Sequence, residues 1–487
     1  MRASLASSIA VTCAAVIALP VSLAAPAAAE VPPAPGLPPA ASALPPALAA
    51  LPPAPELPGA TQSLPLAPLG GTDRALGGGP DGTDAQGLTR RDVRPFSLVG
   101  VVWDDPTAAL HGAVQVRTRA TGGDVWSPWQ DVETHNEEHG ADPETTEGAG
   151  RALKGSTAPL WVGDSDGVEI RVRGEEPLPE GLRLELVDPG EDPAAAAPVT
   201  RTAAAPGPQA GLNAAEAAVS AVNAQLAAYG ATWIPALTKA AVEFTFPYLP
   251  RAQEAEFPPQ VLPHPETQEQ AAVVEPAVAA APAKPYIGPR PKIITRKGWG
   301  ADEKIREKGF VYTKSIKAAF VHHSATGNNY TCKQAPSVLR SIYRYHVKSS
   351  GWRDFGYNFA VDKCGNIYEG RAGGVAKPVL GAHTLGFNTN SMGIAVLGTF
   401  SKSTPPAAAV TAVARLTAWK LGLHGVNPKG TSYLVSGGGN RYKKGSRVRF
   451  NAISGHRDGF ATECPGVRLY GKLGTARTSS AKYQGRR

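Results

Sequence analysis

The sequence predicts a multidomain protein with an N-terminal all-β, sandwich-like domain, Pro/Ala-rich linkers and a C-terminal α/β domain. The α/β domain is expected to be a mixed β-sheet with flanking helices. At 487 residues the chain is too long for a single hydrophobic core. Short alternating apolar runs fill residues 91–189, and from residue 287 strand-like runs alternate with segments of helical periodicity.

The N-terminal part contains two segments that cannot build a core. Residues 1–29 predict a signal peptide, because the basic Arg2 precedes an apolar stretch that ends in small residues suited to cleavage. The alternative, a membrane anchor, is disfavoured because the stretch is short, rich in alanine and interrupted by Pro20. Residues 30–90 are rich in Pro, Ala and Gly and predict a disordered spacer.

Residues 91–189 predict a β-rich domain whose function the sequence does not reveal. Trp126 and Trp129 are predicted to be core or rim aromatics, with a sugar-stacking surface as the alternative. The Asp-Ser-Asp-Gly segment 164–167 predicts a turn, since it lacks the later ligands of a calcium loop. The predicted strands are 96–103, 113–118, 126–130, 159–162, 168–172 and 182–187.

The remainder divides into a linker, a domain and a tail. Residues 190–286 predict an Ala/Pro-rich linker with one possible helix at 213–228, and residues 478–487 predict a basic disordered tail. Between them, residues 287–477 predict one compact α/β domain. Its expected elements are strands at 316–322, 392–400 and 452–455, a hairpin at 355–361 and 366–369, helices at 335–348 and 405–423 (Thr404 as N-cap), and an exposed loop at 425–450.

The net charge of +8 conceals a strong asymmetry. Residues 285–487 contain 33 Lys and Arg against 8 Asp and Glu, which gives +25, and the rest of the chain carries 16 against 33, or −17. Such a basic module should be attracted to polyanions. For an exported protein these are anionic wall polymers or membrane surfaces rather than nucleic acid. The alternative is ordinary solubility charge.

The cysteines indicate one thiol with a special role. If Cys13 leaves with the signal peptide, an odd number remains in a compartment that favours disulfides. Pairing Cys332 with Cys364 leaves Cys464 available for a metal.

Cys464 and His456 lie together in the segment 455–466, beside a Pro-Gly turn, and both are favoured zinc ligands. A catalytic zinc site needs three protein ligands and one open position. The third ligand is expected from His322 or His323, at the end of an apolar run. Neighbouring side chains of a strand face opposite ways, so only one of the two can enter the site, and the spacing leaves the choice open.

Six motifs in order resemble the peptidoglycan recognition protein family. These are zinc-dependent N-acetylmuramoyl-L-alanine amidases that also include bacteriophage endolysins. The resemblance covers about 155 residues, 315–470, and the arrangement behind a β-rich domain and a long linker is similar to secreted actinobacterial members. The motifs are 321–326, His346 with 351–359, 367–371, 381–388, 391–394, and 455–458 with 462–466.

This resemblance implies roles for individual residues. His322, His456 and Cys464 match the ligands of a Zn²⁺ cofactor, and Tyr357 and Thr462 match the two catalytic accessory positions. For Trp352 and His383, a core or supporting role is the alternative to substrate contact. The positions that match the family's peptide and muramyl groove are His346, Trp352, Arg371, His383 and Asn388.

The sequence also departs from many family members. Ala372-Gly373-Gly374 replaces a Trp-containing segment linked to the choice of stem peptide, so stem preference stays open. The strand 392–400 has no Asp or Glu, unlike the related amidase branch that uses an acidic residue there.

Together these features predict a secreted or cell-wall-associated zinc amidase that cleaves the bond between N-acetylmuramic acid and L-Ala in peptidoglycan. The first alternative is a non-catalytic peptidoglycan-binding protein, and the second is a zinc peptidase that cuts within the stem. Whether the target is the cell's own wall or that of other bacteria stays open.

Overall fold

The computed structural model describes residues 59–69, 85–136, 139–192, 212–245 and 286–487. The predicted signal peptide and most of the predicted spacer and linker lie outside these residues. None of the helices within the described ranges is long and apolar enough to cross a membrane.

The first domain, termed the β-domain, is an antiparallel sheet over residues 59–192. Its strands follow the order β1-β8-β3-β7-β4-β5, while β2 and β6 pair with β3. Alternate residues of β3, such as Val99 and Val101, enter a core with Val116 and Ile170 from neighbouring strands. The strands are β1 (Ala60–Pro65), β2 (Ala67–Pro68), β3 (Ala85–Trp103), β4 (Gly112–Ala120), β5 (Gln130–Val132), β6 (Gly155–Ser156), β7 (Leu160–Gly174) and β8 (Arg183–Asp188).

The second domain, termed the α/β domain, contains a mixed sheet in the order β17-β11-β14-β12-β13-β10-β9. β11 is parallel to both β14 and β17, whereas β12 and β13 form an antiparallel hairpin. The strands are β9 (Trp233–Ile234), β10 (Ile293–Ile294), β11 (Ala318–His323), β12 (Phe359–Val361), β13 (Ile367–Glu369), β14 (Ser391–Val396), β15 (Thr431–Val435), β16 (Arg447–Asn451) and β17 (Ile453–Gly455).

Helices cover both faces of this sheet. One face packs against α5 and α8 and the other against α4, because apolar residues alternate along the strands. A π-helical turn, Tyr345–Ser349, continues α4. The helices are α1 (Ala214–Asn223), α2 (Lys239–Thr245), α3 (Arg296–Trp299), α4 (Ala335–Arg344), α5 (Ala407–Leu423), α6 (His456–Gly459), α7 (Val467–Tyr470) and α8 (Leu473–Tyr483).

The two domains share an apolar cluster. Leu98, Val102 and Trp161 leave the β-domain on the side opposite its own core and pack with Val338 and Ile342 of α4. All described residues accordingly belong to one compact unit, Pro53–Arg487. The β-domain therefore packs directly against the α/β domain.

Tyr345 fixes this seating with its hydroxyl, which lies 3.2 Å from the carbonyl oxygen of Val101 and 3.0 Å from that of Thr157. The ring is buried and passes so close to Gly100 that a Cβ there would lie 2.4 Å from the phenol oxygen. A glycine at this strand position is thus required by close approach rather than by backbone conformation.

The predicted domain classes are confirmed, but several predicted boundaries are wrong. The expected spacer 30–90 includes β1, whose residues Ala60 to Pro65 pair with Asp188 to Arg183, and β3 already begins at Ala85. β1 is an edge strand, where proline is tolerated, so its composition concealed it.

The expected linker 190–286 also contains structure. The predicted helix at 213–228 is confirmed in shorter form as α1, with Asn213 as its N-cap. β9 was missed, and it extends the second sheet through the pairing of Ile234 with Ile293. Pairings at this sequence distance leave no local trace in an Ala/Pro-rich segment.

Two C-terminal predictions are wrong. The expected exposed loop 425–450 contains the antiparallel hairpin of β15 and β16, in which Leu434 and Phe450 are buried on one face. The expected disordered tail 478–487 begins inside α8, where Ser480 and Ala481 are buried. Basic composition masked an amphipathic segment in both cases.

Smaller predictions also differ. The segment 164–167 is part of β7 rather than a turn, and α5 has Pro406 rather than Thr404 as its N-cap. The predicted strand at 126–130 is reduced to β5, and Trp129 lies instead beneath the guanidinium groups of Arg117 and Arg171, at 4.8 and 4.2 Å from the ring centroid.

Candidate metal centre and groove

His322 reaches the site because of its parity along β11. Val321 packs in the core beneath α5, so its neighbour His322 points to the opposite side of the sheet, while His323 returns to the side of Val321. The ring of His323 accepts a hydrogen bond from the backbone N–H of Phe400 at 3.3 Å. The structure therefore selects His322 from the pair, which the spacing alone could not do.

His456 and Cys464 come from the chain that follows β17. His456 is the first residue of α6, whose start is fixed by Asp458, which accepts a hydrogen bond from Gly455 N at 2.9 Å. The loop after α6 folds back, so that Arg457 N donates to Cys464 O at 3.0 Å and Cys464 N donates to the Thr462 hydroxyl at 3.0 Å. These local bonds aim the thiol at the imidazoles.

The three predicted ligands converge. Cys464 Sγ lies 3.8 Å from His322 Nδ1, and the ring centroids of His322 and His456 are 4.4 Å apart. A tetrahedral zinc ion with ordinary bond lengths would separate its sulfur and nitrogen ligands by about 3.6 Å. One thiol and two imidazoles at this spacing fit zinc in both chemistry and size.

A fourth candidate ligand, His139, comes from the β-domain. His139 Nε2 lies 3.8 Å from Cys464 Sγ, and its ring centroid is 4.5 Å from that of His456. One potential ligand atom from each of His139, His322, His456 and Cys464 lies within 4.8 Å of the others. His139 is not among the residues predicted from the sequence, because only the packing of the β-domain on the α/β domain brings it here.

The imidazoles of His322 and His139 are held in the neutral form that binds metals. Burial is the main cause that holds the pKa of His322 well below its ordinary value, and the neighbouring His456 is the second. Burial likewise lowers the pKa of His139 to about 3. Neutral imidazoles have a lone pair for a metal, so these rings need not lose a proton at neutral pH.

Thr384 supports His322 from behind. Its hydroxyl lies 3.4 Å from His322 Nε2 and 3.0 Å from His383 Nδ1, while His322 Nδ1 faces the thiol. Contacts of this kind orient a ligand ring and fix which nitrogen is available. No role was predicted for Thr384, and His383 was predicted to lie in the groove, with a supporting role as the alternative. The observed contacts are those of the supporting role.

Tyr357 and Thr462 lie at the same centre. The Tyr357 ring is buried, with its centroid 5.2 Å from that of His322, and it precedes β12 rather than opening it. Thr462 stands at the rim of the same cavity, together with Tyr357 and Cys464. Both predicted accessory residues thus lie at the candidate metal ligands.

Three of the other predicted groove residues, His346, Trp352 and Arg371, form one wall. His346 and Trp352 stack at 4.3 Å between ring centroids, and the His346 Nδ1 accepts a hydrogen bond from Gly356 N at 3.2 Å. Arg371 donates from Nε to Phe355 O at 2.7 Å. The structure brings these residues together, and Trp352 is buried beneath the surface of the wall.

Asn388 organises the other side. Its Oδ1 accepts hydrogen bonds from the backbone N–H groups of His383 and Thr384, at 2.7 and 3.0 Å. Its amide Nδ2 donates to the Gly140 carbonyl at 2.9 Å.

The predicted disulfide between Cys332 and Cys364 is formed, and it joins the start of α4 to the β12–β13 hairpin. Cys464 is buried and takes no part in this disulfide.

Comparison with known proteins assigns the two domains. Residues 312–467 match a family model described as N-acetylmuramoyl-L-alanine amidase, and residues 48–208 match one described as Rv3811 N-terminal galactose-binding domain-like. Over 185 residues the chain is 31% identical to peptidoglycan-recognition protein SC2 of Drosophila melanogaster, covering 38% of this chain and 85% of the relative. The chain belongs to the peptidoglycan recognition protein family.

Two further members of this family illustrate the range of similarity. A human N-acetylmuramoyl-L-alanine amidase is 30% identical over 213 residues, which cover 43% of this chain and 32% of the human protein. The solved structure of wild-type PGRP-LB from Drosophila is 26% identical, with 38% of this chain and 92% of that chain covered and a TM-score of 0.30. By the two family models, the present chain carries an amidase-type domain behind a galactose-binding-like β-domain.

Proposed function

We propose that this protein is a secreted, zinc-dependent N-acetylmuramoyl-L-alanine amidase that acts on bacterial peptidoglycan. The convergence of His322, His456 and Cys464 beside Tyr357 carries the proposal. A non-catalytic binding protein would need the groove but not this set of ligands. The disulfide between Cys332 and Cys364 supports an oxidising, extracellular location.

The residues of the site have distinct tasks in this reaction. A zinc ion held by His322, His456 and Cys464 would supply a Lewis acid and bring the ionisation of water near neutral pH. Tyr357 would donate its phenol proton in a hydrogen bond to the developing oxyanion. Thr462 accepts from Cys464 N and so holds the loop that carries the thiol.

The bond changes are those of amide hydrolysis. The oxygen of water bonds to the lactyl carbonyl carbon of N-acetylmuramic acid, the C–N bond breaks, and the nitrogen of L-Ala takes up a proton. The products would be a glycan strand with a free lactyl carboxylate and a peptide with a free amino terminus. A zinc peptidase would instead leave the muramyl attachment intact.

The test is mass analysis of fragments released from purified peptidoglycan by the zinc-loaded protein. Peptides that begin with a free L-Ala amino group support the amidase, whereas cleavage within the stem or no release by any variant would reject it. Cys464→Ser should lose most of its zinc and all release. His323→Gln, which alters the adjacent ring on the opposite side of β11, should keep its zinc and serves as the matched control.

A further inference from the structure

Residues 139–154 of the β-domain, termed the plug, lie over the metal centre and the groove. We propose that His139 is a fourth metal ligand and that the plug holds the amidase in a closed, latent state. The inference that the closed form is inactive rests on the proposed amidase function. The assignment of His139 as a ligand rests on geometry alone.

His139 stands where an open coordination position would be needed. It is 3.8 Å from Cys464 Sγ, the same distance as His322 Nδ1. Catalytic zinc sites have three protein ligands and a position for water or substrate, whereas sites with four protein ligands are structural. A site completed by His139 belongs to the second class for as long as the plug stays in place.

The plug also occupies the groove with carboxylates. Glu147 Oε1 lies 2.6 Å from Arg371 Nη1, and both side chains are buried. Asp142 Oδ1 accepts hydrogen bonds from Gly386 N at 2.5 Å and from Asn388 Nδ2 at 3.2 Å. Arg371 and Asn388 are the positions that the sequence analysis assigned to the substrate. The plug therefore uses the donors that an acidic stem peptide would need.

Little space is left at the centre. The cavity that His139 lines together with His346, Tyr357 and Cys464 has a volume of about 20 Å³. That volume holds about one water molecule and is too small for a muramyl peptide. Substrate can enter only after the plug has moved.

The plug is held differently from the rest of the β-domain. The β-domain is anchored by the apolar cluster around α4, which water cannot replace. The plug contacts are polar and charged, so water and an incoming peptide can replace them one by one. Lys154 N, which donates to Ser350 O at 3.2 Å, marks the end of the plug nearest to the anchor. Local opening of the plug is therefore possible without separation of the domains.

The metal-ligand assignment is tested without turnover. In the full chain, X-ray absorption of the zinc-loaded protein should count three imidazoles and one thiolate. Loss of a residue that only supports a metal ligand already lowers metal affinity about tenfold or more. His139→Ala should therefore lose one imidazole from the site and bind zinc at least about tenfold more weakly. His135→Ala is the matched control, because His135 is an exposed histidine of the same loop. Its side chain contacts Glu133. Unchanged coordination and affinity in His139→Ala would overturn the assignment.

The plug is tested by binding and by turnover. Asp142→Ala combined with Glu147→Ala removes the groove contacts and leaves His139 in place. This double variant should bind insoluble peptidoglycan about tenfold or more tightly, because the closed population no longer reduces apparent affinity. Glu144→Ala combined with Asp131→Ala is the charge-matched control, since both carboxylates are exposed and make none of these groove contacts. Binding equal to that of the wild type would overturn the proposal that the plug blocks the groove.

Turnover separates this inference from the proposed function. Both His139→Ala and the double variant should release peptides about tenfold or more faster than the wild type. Equal rates in the wild type and both variants would overturn latency while leaving the amidase intact. If no variant releases peptides but the coordination and binding changes are still observed, the amidase function is rejected. The proposal that the plug covers the metal centre and groove is then retained.

Discussion

Loss of the disulfide between Cys332 and Cys364 should cost the α/β domain a defined amount of stability. The two residues are 32 apart in sequence, and the bond ties the start of α4 to the β12–β13 hairpin. In the chain-entropy model a loop of that length gives about 3.7 kcal/mol at 25 °C. With urea m-values of about 1–3 kcal/mol/M for small domains, this corresponds to a midpoint shift of about 1–4 M.

The assay compares Cys332→Ser, Cys364→Ser and the double variant by urea unfolding, followed through tryptophan fluorescence with a chelator present. Trp299 and Trp419 are fully buried in this domain and report its unfolding. All three variants lose the same bond, so each should fall by about 3.7 kcal/mol, and the double variant should fall no further.

Additive losses in the double variant would refute this reasoning, because they would show that each side chain contributes through its own packing. Reduction of the wild-type protein provides the control, since it breaks the bond without changing any residue. Reduced wild type should unfold at the same urea concentration as the double variant.

Three other outcomes are expected. Tyr357→Phe should keep its zinc but lose about 10²–10³ in turnover, the usual loss for one oxyanion donor, and wild-type turnover would remove the phenol from the mechanism. Burial raises the pKa of Glu369 from 4.5 to about 7. The folded chain then holds this proton to higher pH than the unfolded chain, so stability should fall as pH rises between about 4.5 and 7, and Glu369→Gln should flatten that fall in urea unfolding at several pH values. Because residues 285–487 carry +25, binding to walls with anionic polymers should weaken as salt shortens the Debye length from about 10 Å to about 3 Å, and salt-independent binding would locate recognition in the groove alone.

Two of the three candidate metal ligands were readable from the sequence because they share one short segment. His456 and Cys464 follow a strand and sit beside a Pro-Gly turn, and local hydrogen bonds are sufficient to place them. The spacing left the choice between His322 and His323 open and the resemblance gave His322; the structure supplies the physical reason, the side of the sheet on which α5 packs. That fact depends on the pairing of β11 with β14, which no local pattern records.

His139 was beyond the reach of sequence patterns. Its loop offers two histidines among acidic residues, and that composition is typical of an exposed connection. The contact with Cys464 exists only because Leu98, Val102 and Trp161 seat the β-domain on α4. Those three residues are equally consistent with the interior of an isolated sandwich. Hydrophobic periodicity shows that a residue is buried but not which partner buries it.

The shared apolar cluster also limits how this chain can evolve. A domain joined by a linker alone can be exchanged by recombination, since neither partner depends on the other. Here Leu98 and Trp161 would meet water if the β-domain were transferred elsewhere, and Val338 and Ile342 would be exposed on the half left behind. Gly100 adds a second constraint, because any larger residue would meet the ring of Tyr345. The two halves must therefore be inherited together, and substitutions on either side of the cluster should be followed by compensating changes on the other.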